Sequence, residues 1–158
     1  MECLNKCLRV AGFLDNSLVN GEGLRSVLFV SGCRHNCNGC HNEAMQDFSY
    51  GDTVSLKEIL DRIESNMPLI KGVTFSGGDP FEHAEVLGDL ADRIRDMGLS
   101  IWCYSGYTYE EIMGSNDESK IGLLNKIDVL VDGKFEASKK KGAPKYAGSS
   151  NQRVLKLS

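Results

Sequence analysis

Apolar residues along this chain fall into two patterns: short unbroken runs, and longer stretches where they recur every three or four positions. Val27-Leu28-Phe29-Val30-Ser31 is an apolar run that stops at Gly32 and predicts a buried strand. Val73-Thr74-Phe75, ending in Gly77-Gly78, predicts a second strand, and Leu99 to Tyr104, rich in strand formers, a third. Ile127 to Val131 and Val154 to Leu157 predict two more. Between them, Ser55 to Asn66 reads as a helix: Ser55 and Glu58 form a capping-box pair, and Leu56, Ile59, Leu60 and Ile63 share one face. His83 to Met97 has helical spacing (Ala84, Leu87, Leu90, Ala91, Ile94) with Gly98 as its C-terminal cap, and Thr108 with Glu111 opens a shorter helix. Strands alternating with helices predict an α/β fold with mostly parallel strands. Functional loops in such sheets gather at the carboxyl ends of the strands. The segments after Ser31, after Phe75, and at Tyr104-Ser105-Gly106 all fall there.

Composition narrows this picture. A chain of 158 residues, 41% apolar and 25% charged, is expected to form a single domain spanning 1–158. From about 134 to 152 the sequence turns to Lys, Gly, Ser and Ala, which predicts a long exposed loop. No stretch has the length of a membrane span, and the first residues lack a signal-peptide apolar core, so a cytoplasmic protein without a membrane partner is expected. The formal net charge of −4 argues against nucleic acid as a general partner.

The cysteines carry the candidate chemistry. Six are many for such a chain, and nothing suggests the exported setting in which they would pair as disulfides. Cys33, Cys37 and Cys40 have the spacing C-x3-C-x2-C. Thiolates this close in sequence can wrap one face of an inorganic core, and soft sulfur favours zinc or an iron–sulfur cluster. Three thiolates on a [4Fe–4S] cluster leave one iron open to a non-protein ligand. A structural zinc site completed by His35 or His41 uses the same residues. Cys37 to His41 also spells the C-x-x-C-H haem-attachment string, and a redox dithiol is a further reading that leaves the third cysteine without a purpose.

Ser76-Gly77-Gly78-Asp79-Pro80 is the second motif, placed between a strand and a helix. Paired glycines let a ligand approach the backbone closely. Asp79 is either an acceptor for an ammonium group or the N-cap of the following helix.

With both motifs in hand, the chain resembles the radical S-adenosylmethionine superfamily, and within it the activating proteins of anaerobic ribonucleoside-triphosphate reductase. The resemblance runs through Asn20-Gly21-Glu22-Gly23-Leu24-Arg25, Phe29 to Cys33, Gly39-Cys40-His41-Asn42, Ser76 to Pro80, Asp128 to Gly133, and Gly148 to Arg153. Gly39 departs from the aromatic residue that many superfamily members carry before the third cysteine. The resemblance implies a partial, open (β/α) barrel. It implies that Cys33, Cys37 and Cys40 ligate a [4Fe–4S] cluster, that Gly77, Gly78 and Asp79 hold the amino-acid end of S-adenosylmethionine, and that Gly39, Cys40 and His41 lie near its adenine. Reductive cleavage of that cofactor then yields a 5′-deoxyadenosyl radical, which removes hydrogen from a glycine of the partner reductase. No side chain need act as an acid or base. The implied partners are the large subunit of the reductase and a small electron donor such as a flavodoxin. A radical enzyme acting on a small molecule, and a non-catalytic zinc or iron–sulfur module, are the alternatives.

Other residues carry plainer expectations. Cys3 and Cys7 read as spare thiols and Cys103 as a core residue, while His83 reads as part of an exposed helix turn. Arg25 reads as a surface charge or as a contact to cofactor or partner, and Lys139-Lys140-Lys141 as a solvated loop or a docking point for an acidic partner.

Overall fold

The computed structural model describes residues 6–33 and 43–157. Seven strands form one sheet: β1 (Cys7–Ser17), β2 (Arg25–Val30), β3 (Asp52–Ser55), β4 (Gly72–Gly77), β5 (Ser100–Tyr104), β6 (Val129–Asp132) and β7 (Arg153–Lys156). Their spatial order is β3-β1-β2-β4-β5-β6-β7. β2, β4, β5 and β6 pair in parallel, while β1, β3 and β7 flank them antiparallel. The parallel strands stand in chain order with no reversal, so there is no switch point where a ligand crevice would open between two halves. The sheet instead progresses as a barrel does and stays open, since its ends β3 and β7 do not pair with each other. This is the open, partial α/β barrel the sequence led us to expect.

The α-helices among the described residues are α1 (Leu56–Ser65), α2 (Ala84–Asp96), α3 (Tyr109–Met113) and α4 (Glu118–Leu124). α1 buries Leu56, Ile59, Leu60 and Ile63, each contributing roughly 1.5–3 kcal/mol relative to exposure. Its N-cap Ser55 accepts a hydrogen bond from the Glu58 amide, and α3 carries the full reciprocal capping box of Thr108 and Glu111. α2 ends at Asp96 with Met97 as its C-cap, and Gly98 follows at φ +80°, a left-handed conformation that favours glycine. Leu28, Val30, Val73, Phe75, Ile101, Cys103 and Leu130 face these helices in the main core. Alternate residues of the same strands (Trp102, Val129 and Val131 among them) form a smaller cluster on the other, concave face, with Tyr104, Tyr146, Ala147 and Val154 packed on it. The helix-covered face holds the fold together, and the concave face is left for function.

One surface group carries a pH signature. Arg62 on α1 donates to both carboxylate oxygens of Asp15, and Asn66 donates a third bond. These bonds hold the Asp15 carboxyl down to about 2. A depressed carboxylate stabilises the fold above its unfolded pKa near 3.8, and that contribution is lost as pH falls through about 2. Asp15→Asn is therefore expected to flatten the fall in Tm between about pH 4 and pH 2. The effect is small because the pair is half-exposed. Parallel Tm–pH profiles for variant and parent would contradict it.

Candidate active site

β2 and β4 run side by side in register up to Val30 and Gly77, where both chains turn toward the same rim. The two turns are pressed together. Gly78 N donates to Val30 O and Asp79 N to Gly32 O, both at 2.7 Å. On the other side, Gly32 N donates to Met45 O at 2.6 Å and Cys33 N to Gln46 O at 3.0 Å. Ser31 Oγ donates to Tyr50 O. Residues 31–33 and 45–50 thus form a closed neck from which the cysteine segment leaves and to which it returns. Gly32 sits at φ +105°, and a Cβ there would lie 2.3 Å from the Phe48 ring, so both the backbone and the packing require glycine.

Asp79 ties this neck to the next loop. Its carboxylate is fully buried. Oδ1 accepts from Phe81 N at 3.0 Å and caps the short 3-10 turn Pro80–His83. Ser105 Oγ donates to the carboxylate at 3.0 Å and Gly106 N at 3.0 Å. Of the two readings of Asp79, the geometry displays the capping one, and it adds a link to the β5 loop that spacing alone did not reveal. Burial, together with the nearby Asp79 charge, pushes the Cys103 thiol well up, so it stays protonated as the core residue it was expected to be.

On the concave face a cavity of about 400 Å³ opens beside these loops. Cys33, Gly77, Gly78, Ser105 and Gly106 edge it, and Phe29, Ser76 and Tyr104 rise from the sheet beneath. Val19 and Asn20 close one side, while Phe135 and Tyr146 to Gly148 close the other. The first wall is held by Arg25, which is 1% exposed. Its guanidinium donates to Thr74 Oγ1, Glu22 O, Ser100 Oγ, Val73 O and Ser100 O, and lies over the Trp102 ring at 5.6 Å. Thr74 Oγ1 in turn donates to Asn20 O at 2.7 Å. Burial pushes the Arg25 guanidinium down to about 10, with the Asp128 carboxylate opposing, so it remains charged at neutral pH. The second wall hangs on Gln152, which accepts from Gly148 N and Ser149 N and donates to Gly133 O. Tyr104 adds a bond to Tyr146 O at 2.7 Å.

Several expectations change on this map. Arg25 is neither a surface charge nor a cavity-lining group; it is an internal brace beneath one wall. His83 is half-buried, not exposed, and its Nε2 lies 2.6 Å from Ser31 O. The 134–152 segment is only partly exposed, since Phe135, Tyr146, Ala147 and Gly148 line the cavity and Ser149 is buried. Asn20 and Gln152 stand in segments that carry the family resemblance, but their sequence gives neither residue a role, since each acts through the groups it meets in the fold. Cys33, Gly77 and Gly78 come together at one edge. Cys37, Gly39, Cys40 and His41 lie outside the described residues. Among the described residues no three or more His, Cys, Asp or Glu side chains gather as a metal-sized group, and no helix is long and apolar enough to cross a membrane.

The site's chemistry suits a thiolate-held cluster with an organic ligand beside it. A soft sulfur donor stands at the edge of a cavity in the size range of small-molecule sites, and bare glycine backbone lines the same edge. Comparison with known proteins points the same way. Residues 19–155 match the family model of the 4Fe-4S single cluster domain. Anaerobic ribonucleoside-triphosphate reductase-activating protein of Salmonella typhi is 36% identical, across 95% of this chain and 99% of its own. The proteins of that name from Haemophilus influenzae and Escherichia coli K12 are 35% and 38% identical, each across 89% of this chain and at least 92% of their own. Among solved structures, QueE from Escherichia coli superposes with a TM-score of 0.54 at 17% identity. It matches 65% of this chain, which spans about half (53%) of that structure, so the likeness speaks for the fold alone. By sequence across nearly its whole length, this chain belongs to the family of anaerobic ribonucleoside-triphosphate reductase-activating proteins.

Proposed function

We propose that this chain is the radical-generating activase of an anaerobic ribonucleoside-triphosphate reductase, working in the cytoplasm with a small electron donor such as a flavodoxin. The observation that carries the reading is the meeting of Cys33 with the Gly77-Gly78 and Gly106 backbones at one edge of the concave cavity. When bound, a [4Fe–4S] cluster with S-adenosylmethionine supplies one-electron reductive cleavage of the sulfonium and, through it, hydrogen-atom removal from a glycine of the reductase.

The chain's own residues hold and orient. Cys33, Cys37 and Cys40 would hold the cluster. Gly77 and Gly78, with Asp79, would hold the amino-acid end of the cofactor, and Gly39, Cys40 and His41 would serve its adenine end. Asp79 acts as a positioning residue, fixing the glycine turn against Ser105 and Gly106. Phe29 and Tyr104 give the cavity an apolar floor that limits water around a reactive centre. The Val19–Asn20 and Tyr146–Gly148 walls leave a mouth that a large partner can complete.

The test is anaerobic reconstitution with iron and sulfide, reduction, addition of S-adenosylmethionine and assay for 5′-deoxyadenosine. The parent chain is expected to form it and Cys37→Ala to form none. A chain that takes zinc in preference to iron and forms no product would sink the proposal.

A further inference from the structure

Resting on the cluster reading just given, we propose that His83 is a positioning residue for the cysteine segment, acting as a tether on its neck. His83 stands where a helix N-cap would, just before α2, yet its side chain makes no cap hydrogen bond to that helix. The ring reaches across to the β2 turn, with Nε2 at 2.6 Å from Ser31 O. A carbonyl only accepts, so Nε2 carries the proton and donates. Ser31 lies two residues before Cys33 in the chain.

The ring also packs near Phe48, with centroids 6.3 Å apart. Phe48 in turn lies against Gly32, where a Cβ would meet it at 2.3 Å. His83 therefore touches both strands of the neck: the outgoing one at Ser31 by a hydrogen bond, and the returning one at Phe48 by ring contact. The 3-10 turn that delivers it is capped by Asp79, whose amide holds Gly32 O. One continuous set of bonds thus runs from the glycine turn through His83 to Ser31, two residues before the first cysteine. Groups that orient metal ligands from behind typically change metal affinity by about 10- to 100-fold when removed.

The test compares His83→Leu, His83→Gln and Val86→Ala. Val86 packs on the core in the first turn of α2, so its variant reports the effect of destabilising that packing. Two quantities are read. In the chain without iron, hydrogen exchange of the Gly32 and Cys33 amides is expected to quicken in His83→Leu and to stay as in the parent in Val86→Ala. In the reconstituted chain, iron release to a chelator is expected to be about tenfold or more faster in His83→Leu, with recovery toward the parent rate in His83→Gln, whose amide can donate to the same carbonyl. Parent-like exchange and release in His83→Leu, or equal acceleration in Val86→Ala, would overturn the tether. Faster exchange in His83→Leu, with a parent chain that loads no iron, would uphold the tether on the neck and overturn the cluster reading instead.

Discussion

Gly78→Ala is expected to leave a folded protein that has lost about 100-fold or more of its 5′-deoxyadenosine-forming activity. A Cβ at Gly78 would lie 2.4 Å from Gly32 O, and 2.7 Å from both Gly32 C and Gly32 N. All three are backbone atoms, so no side chain can swing aside. The methyl group must push the β4 turn away from the β2 turn, and the 2.7 Å bonds at Gly78 N and Asp79 N lengthen with it. Overpacking of this kind costs typically 1–3 kcal/mol, which a domain survives. The geometric consequence is larger than the energetic one. Cys33 and the Gly77-Gly78 backbone lie on opposite sides of that contact, and a displacement near 1 Å between reacting partners can cost about 100-fold in rate. Thermal melting and product assay on the same reconstituted sample check the pairing of small stability loss with large activity loss. Activity within a few-fold of the parent would show that the close approach is dispensable.

Arg25→Met is expected to act on stability first. The methionine roughly replaces the aliphatic stem, but it removes every donor that Arg25 gives to Glu22 O, Val73 O, Ser100 O, Ser100 Oγ and Thr74 Oγ1. Val73 O and Ser100 O then lose a charged partner inside the sheet. Each buried acceptor left without a partner costs about 1–3 kcal/mol, so the two together cost several kcal/mol, a large share of the stability of many domains. A fall in Tm on the order of 10 °C follows. The Val19–Asn20 wall loosens as well, because Thr74 links Arg25 to Asn20 O. Arg25→Lys keeps the charge but offers three donors on a flexible stem, and so is expected to recover only part of the loss. Denaturant unfolding of the two variants decides the matter. A cost below 1 kcal/mol for Arg25→Met would mean the brace is redundant.

The legible and illegible parts of the sequence differ for physical reasons. β2, β4, β5 and β6 were readable because strands buried on both faces give continuous apolar runs, and α1 and α2 because one apolar stripe faces a core. β1 was not read. Its eleven residues contain Gly12, Asp15 and Asn16, and its register against β2 shifts twice, so no period-two pattern survives. β3 is short and largely exposed, and α4 has only seven residues, so neither shows a periodic face. At the site, Cys33, Gly77 and Gly78 were legible because their chemistry and spacing are restrictive. The roles of Arg25, His83 and Gln152 depend on which distant carbonyls they meet (Ser100, Ser31 and Gly133), and spacing along a chain carries no record of that. The 134–152 segment misled for a related reason: its composition is that of a solvated loop, while Phe135 and Tyr146 within it turn inward.

The most direct test of the account mixes the reduced, reconstituted chain with S-adenosylmethionine and the anaerobic reductase, and follows the reductase by EPR. The account predicts a carbon-centred radical that requires both the chain and S-adenosylmethionine, with a hydrogen splitting that collapses when glycine deuterated at its α-carbon is incorporated into the reductase. Formation of 5′-deoxyadenosine without any radical on the reductase would contradict it and would point to a small-molecule substrate in the same cavity.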